Sequence, residues 1–216
     1  MMKKFKDGFD GFLAVDLMVF FILSGIMLTI LISPLIHRLD VNHYRLDIYS
    51  GLSKEEIARN FSSLANYLWI FNREPLTLES FVMSTNGVVH FAEVKNIVDA
   101  LQILWLITGI CGGIGAYFEI KQQDFTFLKK TAMLMILVPL AIGITASLNF
   151  SAAFVTFHRL FFRNDYWIFD VRTDPVISIL PEQFFMHGFF AIVLIVVLCA
   201  LILYGLYRYK TKKLSL

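Results

Sequence analysis

Four long stretches of the chain carry apolar side chains without a single charged residue. They are Leu17 to Ile36, Ala100 to Phe118, Thr131 to Phe157 and Gly188 to Tyr207. A helix needs about 20 residues to cross a hydrocarbon core of about 30 Å, so each stretch is long enough to span a membrane. The pattern predicts four membrane helices at about residues 17–36, 100–118, 131–157 and 188–207.

Two long polar segments, residues 37–99 and 158–187, separate these stretches and are predicted to form a small cap. Ser53-Lys54-Glu55-Glu56 has the spacing of a capping box, followed by apolar positions at helical spacing, which predicts a helix ending near Asn72. Tyr44 to Tyr49 alternates apolar and polar positions, and the Asn86-Gly87 pair in "SFVMSTNGVVHF" is typical of a β-hairpin. The fold class expected is a mainly α membrane protein, a four-helix bundle with a small mixed cap.

Composition agrees with this class. Hydrophobic residues make up 57% of the 216 positions, 22 of them are phenylalanine, and only 17% are charged. One soluble core of this size would not bury so much apolar surface, so the chain is expected to be an integral membrane protein. No repeat or linker divides it, and we expect residues 1–216 to form one membrane domain.

The distribution of basic residues predicts the orientation. Ten of the 19 lie in three short segments that flank the predicted spans: Lys3, Lys4, Lys6, Lys121, Lys129, Lys130, Arg208, Lys210, Lys212 and Lys213. Dense Lys and Arg beside membrane helices are typical of the cytoplasmic side. Both termini are therefore predicted to be cytoplasmic and the cap to face outside the cell membrane. Because these cations flank membrane spans, the net charge of +2 does not indicate a nucleic-acid partner.

Cysteine and histidine are segregated along the chain. Cys111 and Cys199 fall inside predicted spans, so no disulfide is available to the cap. All five histidines, His37, His43, His90, His158 and His187, fall in the polar segments. Their spacing matches no common zinc motif, and we expect neither a metal nor another cofactor.

The stretch "FHRLFFRNDYWIFD", residues 157–170, places imidazole, charge and aromatic rings together at the end of the third span. This stretch, the following "RTDPVISILPEQFF" and the "HFAEVK" before the second span resemble the bacterial lipoprotein intramolecular transacylase family. The resemblance covers most of the chain. It implies a membrane acyltransferase that moves the sn-2 acyl chain of a diacylglyceryl lipoprotein to the α-amino group of its N-terminal cysteine.

The resemblance also implies which residues act. His90 and His158 are the expected acid and base, at the boundary between cap and membrane. The residues expected to bind substrate or support that pair are Glu93, Phe162, Asn164, Asp165, Tyr166 and Trp167. The implied partners are diacylglyceryl-modified lipoproteins and membrane lipids. On the residues alone, a histidine at a membrane interface is more often a contact with lipid head groups than a catalyst, and the aromatic residues are explained most simply as an interfacial belt.

Two other kinds of protein fit the same sequence. A non-enzymatic membrane scaffold, or a protein that binds lipid or a partner through its cap, would need no catalytic histidine. An acyltransferase that takes its acyl chain from free phospholipid would use every residue named above. A transporter is less compatible, because its spans should carry polar residues near the midplane, and these spans carry few beyond Ser, Thr and Pro139.

Overall fold

The computed structural model describes residues 2–214, with side chains from Gly8 onward, and nearly all of its regular structure is helical. The helices are α1 (Met2–Tyr44), α2 (Leu46–Ser50), α3 (Lys54–Tyr67), α4 (Thr85–Lys121), α5 (Thr126–Leu148), α6 (Phe150–Phe161) and α7 (Glu182–Leu214), with a 3-10 helix at Pro175–Ile179. Four of them, α1, α4, α5 and α7, are long and apolar enough to cross a membrane. The predicted mainly α class with four membrane helices is confirmed. The side chains of Lys3, Lys4 and Lys6, used in the topology prediction, lie outside the described ones.

The third predicted span ends earlier than its uncharged sequence suggested. Instead of one helix over 131–157, α5 ends at Leu148 and α6 begins at Phe150. Asn149 between them is extended, and its side-chain oxygen accepts a hydrogen bond from the backbone N–H of Ala152 at 3.0 Å. Asparagine is among the best N-terminal helix caps, so it starts a new helix here. A hydropathy pattern alone does not identify a helix-capping side chain such as that of Asn149.

The described chain forms two compact units. The first comprises Met1–Met27, Gln102–Ile144 and Ala191–Leu216, and the second Leu28–Leu101 and Thr145–Phe190. In the first unit, α5 and α7 share a buried cluster of Ala132, Met135, Val196, Ala200 and Leu203. Glycines of α4 form a close-packing face there, because a Cβ at Gly112 or Gly115 would lie within 2.7 Å of a side chain of α1.

The second unit has its own apolar core. It consists of Val41, Leu46, Ile57, Phe61, Ala65, Phe81, Phe91, Val176, Ile179 and Leu180. Helix α3 contributes three of these at positions 57, 61 and 65, one above another on a single helix face. The predicted capping box at its start is confirmed, since the Ser53 and Glu56 side chains each accept a hydrogen bond from the other residue's backbone N–H. The core gathers α1, α3, α4 and the segment after Asp174.

The predicted strands are wrong. The described residues form no strand, and the Tyr44–Tyr49 alternation instead spans the end of α1 and most of α2. Arg45, between these helices, has a left-handed backbone with φ 55° and turns the chain. The Asn86-Gly87 pair lies in the first turn of α4. The cap is therefore helical and not mixed.

A carboxylate from a distant segment explains why α4 begins where a hairpin was expected. Ser84 caps the helix, because its Oγ accepts a hydrogen bond from the Gly87 N–H at 3.0 Å. The reciprocal acceptor for the Ser84 N–H is Asp174 Oδ1, at 2.8 Å and 90 residues away in sequence. Asp174 is 3% exposed, and a Cβ at Gly87 would lie 2.1 Å from the same oxygen. Asp174 thus replaces the Glu of an ordinary capping box, and Gly87 leaves room for it.

Candidate active site

Two predicted histidines meet in the second unit. His90 is the sixth residue of α4, and His158 lies on α6. Their ring centroids are 6.0 Å apart, with the ring planes tilted by 35°. His90 is only 6% exposed, whereas His158 is half-buried. Since protonation of one ring disfavours protonation of the other at this distance, the pair does not readily carry two charges.

A backbone contact orients His158. Its Nδ1 lies 2.7 Å from the carbonyl oxygen of Phe154, one helical turn earlier. A carbonyl only accepts, so Nδ1 donates and the neutral ring keeps its lone pair on Nε2. Burial lowers the pKa of His158, although the hydrogen bond to the Phe154 carbonyl acts in the opposite direction. The ring is therefore neutral, and able to accept a proton, at neutral pH.

Aromatic rings enclose both imidazoles. Phe162 contacts the two, edge-on to His90 at 4.8 Å and stacked with His158 at 5.6 Å. Trp167 stacks on His158 at 4.7 Å between centroids. Phe169 lies 5.5 Å from His90 and Phe154 lies 4.2 Å from His158, and neither was among the predicted site residues. Phe154 could have been found from its position four residues before His158 on a helix.

A second set of contacts fixes the loop that carries Trp167. Asn164 donates from Nδ2 to Glu93 Oε1 at 2.9 Å, which joins the loop to α4. The backbone carbonyl of Asn164 accepts a hydrogen bond from the indole N–H of Trp167 at 3.1 Å. The side-chain oxygen of Asn164 accepts one from the backbone N–H of Tyr166 at 3.0 Å. Glu93, one of the residues expected to bind substrate or support the histidine pair, therefore contacts Asn164. The Trp167 indole is therefore held by stacking of its face on His158 and by the hydrogen bond from its N–H to Asn164.

Two buried polar atoms in this region have no hydrogen-bond partner among the described residues. They are Nδ1 of His90 and Oε2 of Glu93. The two residues are three apart on α4, and side chains at this spacing lie on one helix face. A buried polar atom without a partner costs about 1–3 kcal/mol, so a bound molecule that forms hydrogen bonds with these atoms would recover that free energy.

The other polar candidates are arranged differently. Asp165 and Tyr166 are exposed and make no side-chain contact with either histidine of the pair. His37 is 2% exposed and its Nε2 donates to the Ile179 carbonyl at 2.7 Å, while His187 contacts Asp40 at 2.8 Å. Within residues 8–214, no three His, Cys, Asp or Glu side chains are grouped as a metal site.

The lowered pKa of His158 makes stability depend on pH. The unfolded ring takes a proton below its ordinary pKa of about 6.5, whereas burial resists that proton in the folded state. Folded-state stability should therefore fall as pH drops below about 6.5 toward the lowered pKa, and be unaffected by this residue above it. Thermal unfolding in detergent between pH 7.5 and 5 should show a shallower decline for His158→Gln than for the parent. The exposed His43→Gln is the control, and parallel declines for all three proteins would contradict the prediction.

Comparisons with known proteins agree on one family. The family model described as lipoprotein intramolecular transacylase Lit matches residues 12–185. A structure of the membrane-integral lipoprotein intramolecular transacylase Lit from Bacillus cereus is similar with a TM-score of 0.88 and 33% identity, covering 95% of this chain and 97% of that one. No curated protein matches the chain.

Two further structures of the Bacillus cereus protein carry a substitution of one histidine. The arginine variant has a TM-score of 0.84 and 32% identity, over 98% of this chain and 96% of that chain. The alanine variant has a TM-score of 0.85 and 32% identity, over 100% of this chain and 99% of that chain. With a family match over most of its length and relatives of this similarity, the chain belongs to the Lit family of lipoprotein intramolecular transacylases, which are membrane acyltransferases.

Proposed function

We propose that this chain moves the sn-2 acyl chain of a diacylglyceryl lipoprotein to the α-amino group of its N-terminal cysteine, with His90 and His158 as the acid–base pair. The observation that carries the proposal is the 6.0 Å separation of two imidazoles from different segments inside an aromatic enclosure. The family supplies the reaction class. The product is an N-acylated lipoprotein with one acyl chain left on its glycerol.

The reaction needs positioning before it needs proton transfer. The attacking nitrogen and the acyl carbon belong to one molecule, and N, Cα, Cβ, S, two glycerol carbons, the ester oxygen and the acyl carbon close a ring of roughly eight atoms. Holding reacting groups in the correct orientation can contribute about 7–11 kcal/mol. Stiff rings such as Phe162 and Trp167 suit that task at a boundary between lipid and water.

The proton transfers then follow from the bonds that change. The amine nitrogen attacks the ester carbon, forms the N–C bond and becomes positively charged, and a base removes one of its protons. When the C–O bond breaks, the glycerol oxygen leaves with the electron pair and takes a proton from an acid. Two neighbouring imidazoles can share these roles, because a neutral ring accepts a proton as base and the protonated ring that results donates it as acid. His90 Nδ1 and Glu93 Oε2, which have no partner among the described residues, are available to the donors of the amine.

Mass spectrometry of a reporter lipoprotein tests the function. Bacteria that make diacylglyceryl lipoproteins should yield an N-terminal peptide with an N-linked acyl chain only when this protein is expressed. Stable-isotope labelling of the sn-2 chain of the reporter, before it meets the purified protein, distinguishes intramolecular transfer from transfer out of free phospholipid. An N-linked acyl chain without the label would show transfer from free phospholipid and reject the intramolecular route.

Trp167 should act by positioning rather than by proton transfer. Trp167→Ala removes the ring stacked on His158 at 4.7 Å and should slow acyl transfer by about tenfold to a hundredfold. The shape of the pH–rate profile should stay the same, because both imidazoles remain. Tyr49→Ala, which removes an aromatic ring that is 83% exposed, is the matched control. A displaced pH profile for Trp167→Ala would assign the indole a part in the proton transfers instead.

We further propose that residues 37–99 and 158–187 face outside the cell and that both termini are cytoplasmic, as the basic-residue distribution favours. In a variant without Cys111 and Cys199, a cysteine placed at Ser53 should react with a membrane-impermeant maleimide in intact cells. A cysteine at Lys129 should react only after the membrane is opened. The reverse pattern would place the histidine pair on the cytoplasmic side.

A further inference from the structure

A groove of about 590 Å³ runs along the second unit between α1 and α3, and neither histidine of the pair lines it. Its walls include the apolar side chains of Leu35, Val41, Ala58 and Phe61. The proposed acyl-transfer site does not account for this groove, because the aromatic residues that enclose His90 and His158 are not among those that line it.

Two cations lie on the groove. The guanidinium of Arg38 makes no hydrogen bond or ion pair with a described residue, although it has five donors. Lys54 donates one hydrogen bond from Nζ to Asn42 Oδ1 at 2.6 Å, which fixes the ammonium and leaves two donors. Glu55 also lines the groove, so its charged side chains sum to +1. The groove therefore offers several cationic donors to an acceptor with more than one oxygen.

An exposed apolar stripe on α1 leads into these cations. Leu28, Leu31 and Leu35 are 44%, 61% and 61% exposed, and at helical spacing they share a face with Arg38 and Asn42. No charged residue occurs between Asp16 and Arg38, so Arg38 is the first charge at this end of the apolar stretch. In a helix that crosses a membrane, such a charge lies at the level of the head groups.

We propose that this groove binds one glycerophospholipid, with its phosphate between Arg38 and Lys54 and an acyl chain along Leu28, Leu31 and Leu35. Planar guanidinium matches phosphate geometry through two parallel hydrogen bonds, and the lysine adds a second charge. An inorganic phosphate would contact the two cations but not the apolar wall of the groove or the leucine stripe, so a ligand with an acyl chain fits these observations better. The site is independent of the acyl-transfer chemistry and assigns the cap a structural lipid.

Native mass spectrometry of delipidated protein in detergent tests the proposal. On titration with dioleoyl phosphatidylglycerol the parent should bind one lipid, and dioleoylglycerol, which has the same chains without phosphate, should bind at least about tenfold more weakly. Arg38→Gln and Lys54→Gln should each weaken phosphatidylglycerol binding about tenfold or more. Ala58→Phe keeps the charges but fills part of the groove, and should weaken both lipids.

Arg59→Gln is the matched control, because this arginine lies on the same helix but pairs with Glu79 at 3.2 Å outside the groove. It should bind phosphatidylglycerol like the parent. Gel filtration and thermal unfolding confirm that each variant is folded. Equal binding of the two lipids, or unchanged binding in folded Arg38→Gln and Lys54→Gln, would overturn the proposal. Displacement of the lipid by inorganic phosphate at equal concentration would identify free phosphate as the ligand and overturn it as well.

Discussion

Replacing His90 or His158 with glutamine should slow acyl transfer by about 10²–10⁴-fold, the usual contribution of a positioned general acid or base. Each glutamine keeps polarity and approximate size but cannot move a proton near neutral pH. Because the two rings lie 6.0 Å apart and share Phe162 as a neighbour, the substrate's amine and ester should lie between them. The measurement is the fraction of reporter lipoprotein carrying an N-linked acyl chain as a function of time.

The double variant separates a working pair from two independent residues. If both imidazoles serve one proton-transfer cycle, His90→Gln combined with His158→Gln should be little slower than the worse single variant. His43→Gln, which removes an exposed histidine of the same unit, should transfer at the parent rate. Folded His90→Gln and His158→Gln proteins that both act at the parent rate would show that the aromatic enclosure only contacts head groups.

Gly87→Ala should produce the largest loss of stability among single-methyl changes in α4. The added Cβ would meet Asp174 Oδ1 at 2.1 Å, so the carboxylate must move and give up the Ser84 N–H. Leaving these buried groups unpaired should cost about 1–3 kcal/mol. Gly113→Ala, in the same helix with nothing within 4 Å of the new Cβ, is the control and should be neutral or stabilising, since alanine favours helix over glycine.

A double-mutant cycle assigns the cause. Asp174→Ala alone should also be destabilising, because it removes the acceptor of the Ser84 N–H. In the Asp174→Ala background, however, the added Cβ of Gly87→Ala no longer meets the carboxylate and should cost little, which gives a strong non-additive term. Apparent melting temperatures in detergent provide the readout. Additive losses would mean that Gly87 is required for a reason other than room for Asp174.

Local patterns predicted the elements whose determinants lie close together in sequence. The membrane helices follow from uncharged runs, and the start of α3 follows from Ser53 and Glu56, three residues apart. The start of α4 was mistaken for a hairpin because its determinant, Asp174, lies 90 residues away. Asn149 was overlooked because a hydropathy pattern gives no weight to one capping side chain.

The candidate site was predictable only in part, because some of its contacts also join residues that are distant in sequence. His90 and His158 were named from motifs that resemble a family, and no spacing in the sequence requires two residues so far apart to meet. Phe162, Trp167, Glu93 and Asn164 lie where a supporting role is possible. Asp165 and Tyr166 belong to the same motif but point to solvent. Phe169 was left out because its contact with His90 depends on how the loop folds back over α4.

The Asp174 cap also sets an order of events during synthesis. The ribosome releases Ser84 and the first turns of α4 long before it releases Asp174. The new helix therefore first lacks the carboxylate that accepts from the Ser84 N–H. The carboxylate that completes the cap follows the segment with His158 along the chain, so α4 meets neither of them until after the third membrane helix has been made. A nascent chain that stops short of Asp174 therefore holds His90 near a helix start whose Ser84 N–H lacks its acceptor. Assembly of the two-histidine site is thereby a late step, completed only after the polypeptide has passed the third membrane helix.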